Sequence, residues 1–81
     1  MNVHVQFYAQ LRDLAGVSES NVEVASGGKV ADLLEHLYRQ TPALRRHDKA
    51  ILVGAGLEFV DRNYALKPGE TISIMPPVQG G

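Results

Sequence analysis

The residues with the clearest chemical potential are the last six of the 81-residue chain, Pro-Pro-Val-Gln-Gly-Gly at positions 76–81. The two prolines end sheet pairing and hold the chain in an extended polyproline direction. The four residues after them reach at most about 13 Å, at roughly 3.3 Å per residue. Gly80 and Gly81 have no side chain, so the segment can enter a passage too narrow for a β-carbon. The pattern indicates a slender arm carrying the Gly81 carboxylate, with an ordinary frayed terminus as the alternative.

Other residue types that do chemistry are scattered along the chain without a useful spacing. The histidines, His4, His36 and His47, show no metal-ligand spacing such as i, i+4, so we expect no metal site. The absence of cysteine excludes a thiolate metal site and a cysteine nucleophile. Ser18 and Ser20 have no adjacent base, so no nucleophilic triad is indicated. The sequence predicts no self-contained active site.

Size and composition describe one small domain. Hydrophobic residues make up 44% of the chain and charged residues 21%, which is typical of a folded soluble protein. Eight Lys+Arg against nine Asp+Glu give a net charge of −1, so we expect no nucleic-acid partner. No apolar run is long enough to cross a bilayer, and the N-terminal residues lack the layout of a signal peptide. We therefore expect a cytoplasmic protein with no membrane partner.

Hydrophobic periodicity predicts strands on both sides of one main helix. An apolar stripe at i, i+3, i+4, i+7 and i+8 indicates a helix that begins near Lys29 and ends at Thr41, before a proline. Alternation of apolar and polar residues indicates the strands. The other predicted elements are a strand at 3–8, helical turns at 10–16, a strand at 20–25, a polar loop at 45–49, an apolar strand at 50–53, a turn at 54–56, a short strand at 58–60, a type II turn at 67–70 and a strand at 71–75.

The order of these elements predicts an α+β roll of the β-grasp kind. Two hairpin-like pieces flank one main helix, which packs across a mixed sheet. A right-handed crossover through the helix places the first and last strands side by side in parallel. We expect a domain at residues 1–75 and an extended C-terminal tail at residues 76–81.

Strand parity predicts which residues surround the root of this tail. Val3, Val5 and Phe7 must point toward the helix to fill the core, so Tyr8 faces the opposite, open side of the sheet. The same parity places Met75 on the open side of the last strand, and Phe59 completes the patch if the preceding turn keeps the register. An exposed cluster of this kind indicates a partner-binding surface. Scattered surface apolar residues are the alternative.

Two motifs at opposite ends of the chain carry a family resemblance. Residues 7–16, Phe-Tyr-Ala-Gln-Leu-Arg-Asp-Leu-Ala-Gly, match an aromatic-Ala-x-(Leu/Val)-Arg-(Glu/Asp)-x-x-Gly signature. Residues 66–72 match Leu-x-x-Gly-Asp-x-(Val/Ile), with glutamate in the acidic position, and residues 76–81 match Pro-Pro-Val-x-Gly-Gly. In these motifs the whole chain resembles the MoaD branch of the MoaD/ThiS ubiquitin-like sulfur carriers, to which the small subunits of molybdopterin synthase belong.

The resemblance implies a chemistry for the tail. A partner of the E1-like adenylyltransferase type (MoeB-like) would use ATP to adenylylate Gly81, and a persulfide sulfur would then give a Gly81 thiocarboxylate. The tail would enter the large subunit of molybdopterin synthase (MoaE-like) and donate sulfur to cyclic pyranopterin monophosphate, forming the molybdopterin dithiolene. The carrier itself would bind no cofactor. Partner contacts would fall on the patch and on the tail: Tyr8, Phe59, Met75, Pro76, Pro77, Val78 and Gln79, with Gly80 and Gly81 as the reacting end.

Two departures from the family pattern leave other functions open. Residues 54–57 are Gly-Ala-Gly-Leu where the family usually has an asparagine in the hairpin, and Thr71 and Ser73 stand where acidic or alanine residues are common. A ThiS-like or Urm1-like carrier for another sulfur pathway is one alternative. A ubiquitin-like modifier that forms isopeptide bonds, or a binding module with an inert tail, are the others.

Overall fold

Residues 1–77, the part of the chain that the computed structural model describes, contain five strands, two α-helices and one 3₁₀ helix. The strands are β1 (Asn2–Phe7), β2 (Glu19–Glu23), β3 (Leu52–Ala55), β4 (Glu58–Val60) and β5 (Thr71–Met75). The helices are α1 (Ala9–Ala15), α2 (Val30–Gln40) and a 3₁₀ helix (Pro42–Ala50). This order agrees with the predicted sequence of elements.

The strands form one mixed sheet in the order β2-β1-β5-β3-β4. β1 and β5 are parallel neighbours, as the crossover rule predicted, and the other neighbours are antiparallel. The sheet therefore has the β-grasp topology expected from the sequence. β5 is its central strand, and the tail continues from the end of β5.

One face of the sheet is covered by α2 and holds the core. Val3, Val5 and Phe7 of β1 are at most 5% exposed, and Ile72 and Ile74 of β5 are at most 1% exposed. The α2 stripe packs against them through residues that are all buried, Val30, Leu33, Leu34, Leu37 and Tyr38. Because alternate strand residues point to opposite faces, the remaining residues of β1 and β5 line an uncovered face, here called the open face.

The predicted polar loop at residues 45–49 is wrong, because these residues belong to the 3₁₀ helix. The Tyr38 hydroxyl of α2 donates a hydrogen bond of 2.5 Å to Asp48 Oδ1. Arg62 donates to the carbonyls of Asp48 (2.6 Å) and Ile51 (3.2 Å), near the end of this helix. These contacts with other elements satisfy hydrogen-bonding groups at the end of the 3₁₀ helix, and the local sequence pattern does not reveal them.

The predicted strand at 50–53 and turn at 54–56 also differ from the structure. The strand is β3, which begins two residues later and includes Gly54 and Ala55. A two-residue turn, Gly56 and Leu57, joins β3 to β4. Gly56 has φ +63°, which suits glycine at the first position of a type II′ hairpin turn. The predicted type II turn at 67–70 is confirmed by φ +75° at Gly69 and a hydrogen bond of 3.1 Å from Glu70 N–H to the Lys67 carbonyl.

Candidate functional site

Strand register brings four residues from four strands into one row across the sheet. Gln6 of β1 pairs with Ser73 of β5, Ser73 pairs with Gly54 of β3, and Gly54 pairs with Phe59 of β4. Ser73 lies between the inward-pointing Ile72 and Ile74, so the row lies on the open face. The middle of the row is made of the two smallest residues, Ser73 and Gly54.

Larger side chains rise around this small floor and enclose a groove of about 200 Å³ on the open face. Phe59 is 70% exposed, Tyr8 is 44% exposed, and Leu57 at the hairpin tip is fully exposed. The residues lining this open-face groove are Tyr8, Gly54, Gly56, Leu57, Glu58, Phe59, Ser73 and Met75. An apolar groove with so much uncovered aromatic and aliphatic surface is typical of a protein-binding site.

Tyr8 is fixed at the groove by three backbone and side-chain features. Its N–H donates to the Ile74 carbonyl at 3.1 Å, which attaches it to the central strand just before Met75. Its hydroxyl donates to Gln6 Oε1 at 3.0 Å, so the ring is held over the open face. The next residue, Ala9, has φ +51°, a left-handed conformation unusual for alanine. This turn ends β1 and directs the chain into α1.

Gly54 and Met75 contact each other on the floor of the groove. A β-carbon placed on Gly54 would lie 3.2 Å from the terminal methyl carbon of Met75 and 3.7 Å from the β-carbon of Ser73. The Met75 side chain therefore uses space that any residue other than glycine would restrict. Met75 itself is half-buried rather than fully exposed.

Glu58 is the one charged residue among the groove-lining residues within the described 1–77. The main cluster of charged side chains lies elsewhere, along α2 and the 3₁₀ helix. There the Arg45 guanidinium donates two hydrogen bonds to the Glu35 carboxylate, the shorter being 2.7 Å, and holds the pKa of Glu35 below its ordinary value. Burial, and the hydrogen bond to Asp48, raise the pKa of Tyr38. This cluster joins α2 to the 3₁₀ helix and does not border the groove.

The structure brings together three of the residues predicted to bind a partner. Tyr8, Phe59 and Met75 all line the open-face groove, as strand parity indicated. Pro76 and Pro77 directly follow β5 and are half-buried. The remaining predicted site residues, Val78, Gln79, Gly80 and Gly81, lie outside the described residues. The partner-binding roles themselves stay predictions.

The sequence reasoning missed Gln6, Gly54, Leu57 and Ser73. Alternation along the strands places Gln6 and Ser73 on the open face, so strand parity is the signal that could have identified both. Gly54 was assigned to a turn because glycine is unusual inside a strand. Its place on the groove floor depends on Met75, which lies far from it in sequence.

His4 contacts Asn21 Oδ1 at 3.2 Å and Glu19 at 3.4 Å on the open face near β2. No group of three metal-ligating side chains is present among residues 1–77. Over the same residues, no helix has the length and apolar character needed to span a membrane.

Sequence comparison places the chain beside known sulfur carriers. A model of the ThiS family matches residues 5–81. The chain is 34% identical to the molybdopterin synthase sulfur carrier subunit of Chlamydomonas reinhardtii, over 100% of both proteins. It is 32% identical to the protein of the same name from Drosophila melanogaster, over 100% of this chain and 92% of that protein.

Comparison with solved structures confirms the ubiquitin-like β-grasp fold. A protein of Pyrococcus furiosus, assigned as molybdopterin converting factor subunit 1, aligns with a TM-score of 0.88 and 27% identity over 96% of this chain and 99% of the other. The modifier protein SAMP1 of Haloferax volcanii aligns with the same TM-score and identity over 100% of both chains. A chain in the complex of subunits 1 and 2 of molybdopterin-converting factor from Helicobacter pylori aligns with a TM-score of 0.71 and 22% identity over 100% of both chains, which shows the fold alone.

Proposed function

The chain belongs to the ThiS family, and on that premise we propose that it is the sulfur-carrier small subunit of a molybdopterin synthase. The observation that carries the proposal is the similarity to curated sulfur carrier subunits of molybdopterin synthase along the full length of the chain. The matched region spans the whole chain, and therefore both the Tyr8 region at the groove and the tail.

The proposed chemistry takes place at the Gly81 carboxylate. A carboxylate resists nucleophilic attack until one oxygen becomes a good leaving group, so an activating enzyme joins it to the α-phosphate of ATP and releases pyrophosphate. A persulfide sulfur then attacks the acyl-adenylate and expels AMP. Reduction of the resulting acyl disulfide by a thiol leaves the Gly81 thiocarboxylate. This route supplies a sulfur nucleophile to a chain that has no cysteine.

The proposed acceptor is cyclic pyranopterin monophosphate, held by the large subunit. The thiocarboxylate donates its sulfur there to build the molybdopterin dithiolene, and the catalytic side chains belong to the large subunit. Two geometric features support this division of roles. The open-face groove is the proposed docking surface, and the tail begins at Pro76, directly after Met75, which lines that groove.

Docking of the large subunit is assigned to Tyr8, Phe59 and Met75, together with Pro76 and Pro77 and the residues Val78 and Gln79 that follow. The large exposed area of Leu57, Phe59 and Tyr8 would be covered in the complex. Burial of apolar area contributes about 25 cal/mol per Å² before the costs of association are subtracted. The same face offers the activating enzyme a way to hold the carrier while the tail enters its site.

Reconstitution tests this function directly. The carrier is incubated with its activating enzyme, ATP and a persulfide donor, and then with purified large subunit and cyclic pyranopterin monophosphate. We expect molybdopterin to form in proportion to the carrier added, and no product when ATP is omitted. Thiocarboxylated carrier that transfers no sulfur to this acceptor would assign the chain to another sulfur pathway, such as thiamin, cysteine or tRNA synthesis.

A ubiquitin-like modifier is the second candidate function, because the SAMP1 structure aligns as closely as any carrier structure described above. The chemistry is shared up to the acyl-adenylate, and the two functions differ in the nucleophile that attacks it. Immunoblots of cell extract prepared under alkylating lysis separate them. Slower-migrating adducts that require Gly81 would support a modifier, whereas their absence together with thiocarboxylate formation supports the carrier.

A further inference from the structure

Glycine inside a strand weakens the sheet, yet Gly54 lies inside β3 with hydrogen-bonded neighbours on both sides. Its backbone does not require glycine, because its φ lies outside the left-handed region. A strand position of this kind loses about 0.5–1 kcal/mol relative to alanine. The reason for glycine at this site must therefore come from the space that its missing side chain leaves.

That space lies under the terminal methyl group of Met75, which covers Gly54 on the floor of the open-face groove. A β-carbon on Gly54 would lie 3.2 Å from the Met75 methyl carbon, 3.6 Å from the Glu58 carbonyl oxygen and 3.7 Å from the Ser73 β-carbon. The neighbours that form the walls, Tyr8 and Phe59, are large and exposed. A small floor between large walls has the shape of a hole into which one side chain of a partner can fit.

We propose that Gly54 is a specificity-determining residue: its missing side chain lets Met75 lie low on the groove floor, so that the groove above Met75 is deep enough to receive one protruding apolar side chain of the large subunit. This inference rests on the proposed function and names the feature of the partner that the groove selects. The groove volume of about 200 Å³ accommodates a side chain of the size of leucine, methionine or phenylalanine. Met75 adapts to its occupant because methionine is unbranched and flexible.

Charge and position identify the occupant as part of the protein that holds the tail. Glu58 is exposed at the rim of the hole, and no basic side chain lines it among residues 1–77. The complementary surface therefore carries a lysine or arginine beside its apolar side chain. The four residues beyond Pro77 reach at most about 13 Å, at roughly 3.3 Å per residue. A protein whose active site receives Gly81 must therefore lie against the end of β5, next to this hole.

Substitutions of Gly54 distinguish a role of this residue in binding from a role in folding. Gly54→Ala adds one carbon against the flexible end of Met75, and Gly54→Leu pushes Met75 up into the hole. We expect the affinity for the purified large subunit, measured by calorimetry, to fall about 5-fold for Gly54→Ala and at least about 100-fold for Gly54→Leu. The melting temperature of the free Gly54→Ala carrier should stay equal or rise, because alanine is favoured over glycine in a strand.

The test includes a matched control outside the groove and a second variant for the case that Gly54→Leu does not fold. Thr71→Val adds apolar character to the same face of β5 but lies outside the groove, so its affinity should equal that of the unmodified carrier. If Gly54→Leu does not fold, Ser73→Leu fills the hole from the neighbouring strand and should give a similar loss. Unchanged affinity of a folded Gly54→Leu or Ser73→Leu carrier would overturn the inference while leaving the proposed function intact. An unmodified carrier that neither binds the large subunit nor donates sulfur would instead contradict the proposed function.

Discussion

The backbone N–H of Tyr8 donates a hydrogen bond of 3.1 Å to the carbonyl of Ile74, and so joins the end of the first strand to the strand that carries the tail. Phe7 and Ile74 are in register in the parallel β1–β5 pair, so the next residues are Tyr8, just after β1, and Met75, the last residue of β5. Both residues line the open-face groove. The open-face groove and the start of the C-terminal tail are therefore built on the same central part of the sheet.

Met75→Glu should weaken binding to the large subunit by about 2 kcal/mol or more, as expected when a buried contact in an interface is replaced by a charge. Met75 is half-buried and packs over Gly54 on the open face, away from the core. The melting temperature of the free carrier should therefore change little. Calorimetric titration and thermal unfolding measure the two quantities.

The control for this variant is Thr71→Glu, which places the same charge on the same face of β5 outside the groove. It should bind like the unmodified carrier. If Met75→Glu binds the large subunit as tightly as the unmodified carrier, Met75 is not part of the docking surface. If the free variant unfolds, Met75 belongs to the core.

The left-handed conformation of Ala9 predicts an unusual effect of glycine substitution. Ala9 has φ +51° and is exposed, and this conformation costs a residue with a β-carbon roughly 1–2 kcal/mol. Glycine removes this cost but adds about 0.5–1 kcal/mol of backbone entropy to the unfolded chain. Ala9→Gly should therefore leave the free energy of unfolding unchanged or raise it by up to about 1.5 kcal/mol.

Ala31→Gly is the matched control, because Ala31 is also exposed but lies in α2 with ordinary helical geometry. It should lower the free energy of unfolding by about 0.5–1 kcal/mol. Urea denaturation of both variants measures the difference. Equal destabilisation by the two substitutions would show that Ala9 is not strained in solution.

The Tyr38 hydroxyl predicts a loss of stability at alkaline pH. Burial and the hydrogen bond to Asp48 raise its pKa, so the folded protein favours the neutral phenol. The resulting stability is fully present below the ordinary tyrosine pKa of 10.0 and is lost as the pH rises above it. The contribution falls by at most about 1.4 kcal/mol per pH unit in this range.

Urea denaturation between about pH 9 and pH 11, spanning the ordinary tyrosine pKa, measures this loss. Tyr38→Phe should have a lower free energy of unfolding at neutral pH, by about 1–3 kcal/mol, because Asp48 loses its donor. Its further decline above the ordinary tyrosine pKa should be shallower than that of the unmodified chain. Tyr64→Phe serves as a comparison, since Tyr64 also has a raised pKa but donates to Glu70 at another site. Parallel declines of the unmodified chain and Tyr38→Phe would contradict the assignment.

Local patterns were sufficient to predict the parts of the fold that bury apolar residues. The α2 stripe from Val30 to Tyr38, the parity of β1 and β5, and the turn at Gly69 are all where periodicity and turn chemistry placed them. Each of these features is determined by residues close together in sequence. The same parity was sufficient to bring Tyr8 and Met75 to one groove.

The parts that were missed depend on contacts between distant residues. The 3₁₀ helix at residues 42–50 has a mostly polar sequence, and its partners Tyr38 and Arg62 come from other elements. Gly54 reads as a turn residue until Met75 of a neighbouring strand is seen to cover it. A pattern in the sequence reports which residues prefer the interior, but it does not report which polar or small residue will meet which distant neighbour.

The central claim is that Gly81 is converted to a thiocarboxylate, and the intact mass of the carrier tests it most directly. The carrier is incubated with its activating enzyme, ATP and a persulfide donor, beside a chain that lacks Gly81 but keeps residues 1–77, and therefore the described fold, unchanged. We predict that the full chain gains the mass difference of one sulfur for one oxygen, that the truncated chain gains nothing, and that both have the same melting temperature. The account would be contradicted if the mass of the full chain stayed unchanged although the activating enzyme is shown to be active on another carrier. It would also be contradicted if the truncated chain still gained sulfur.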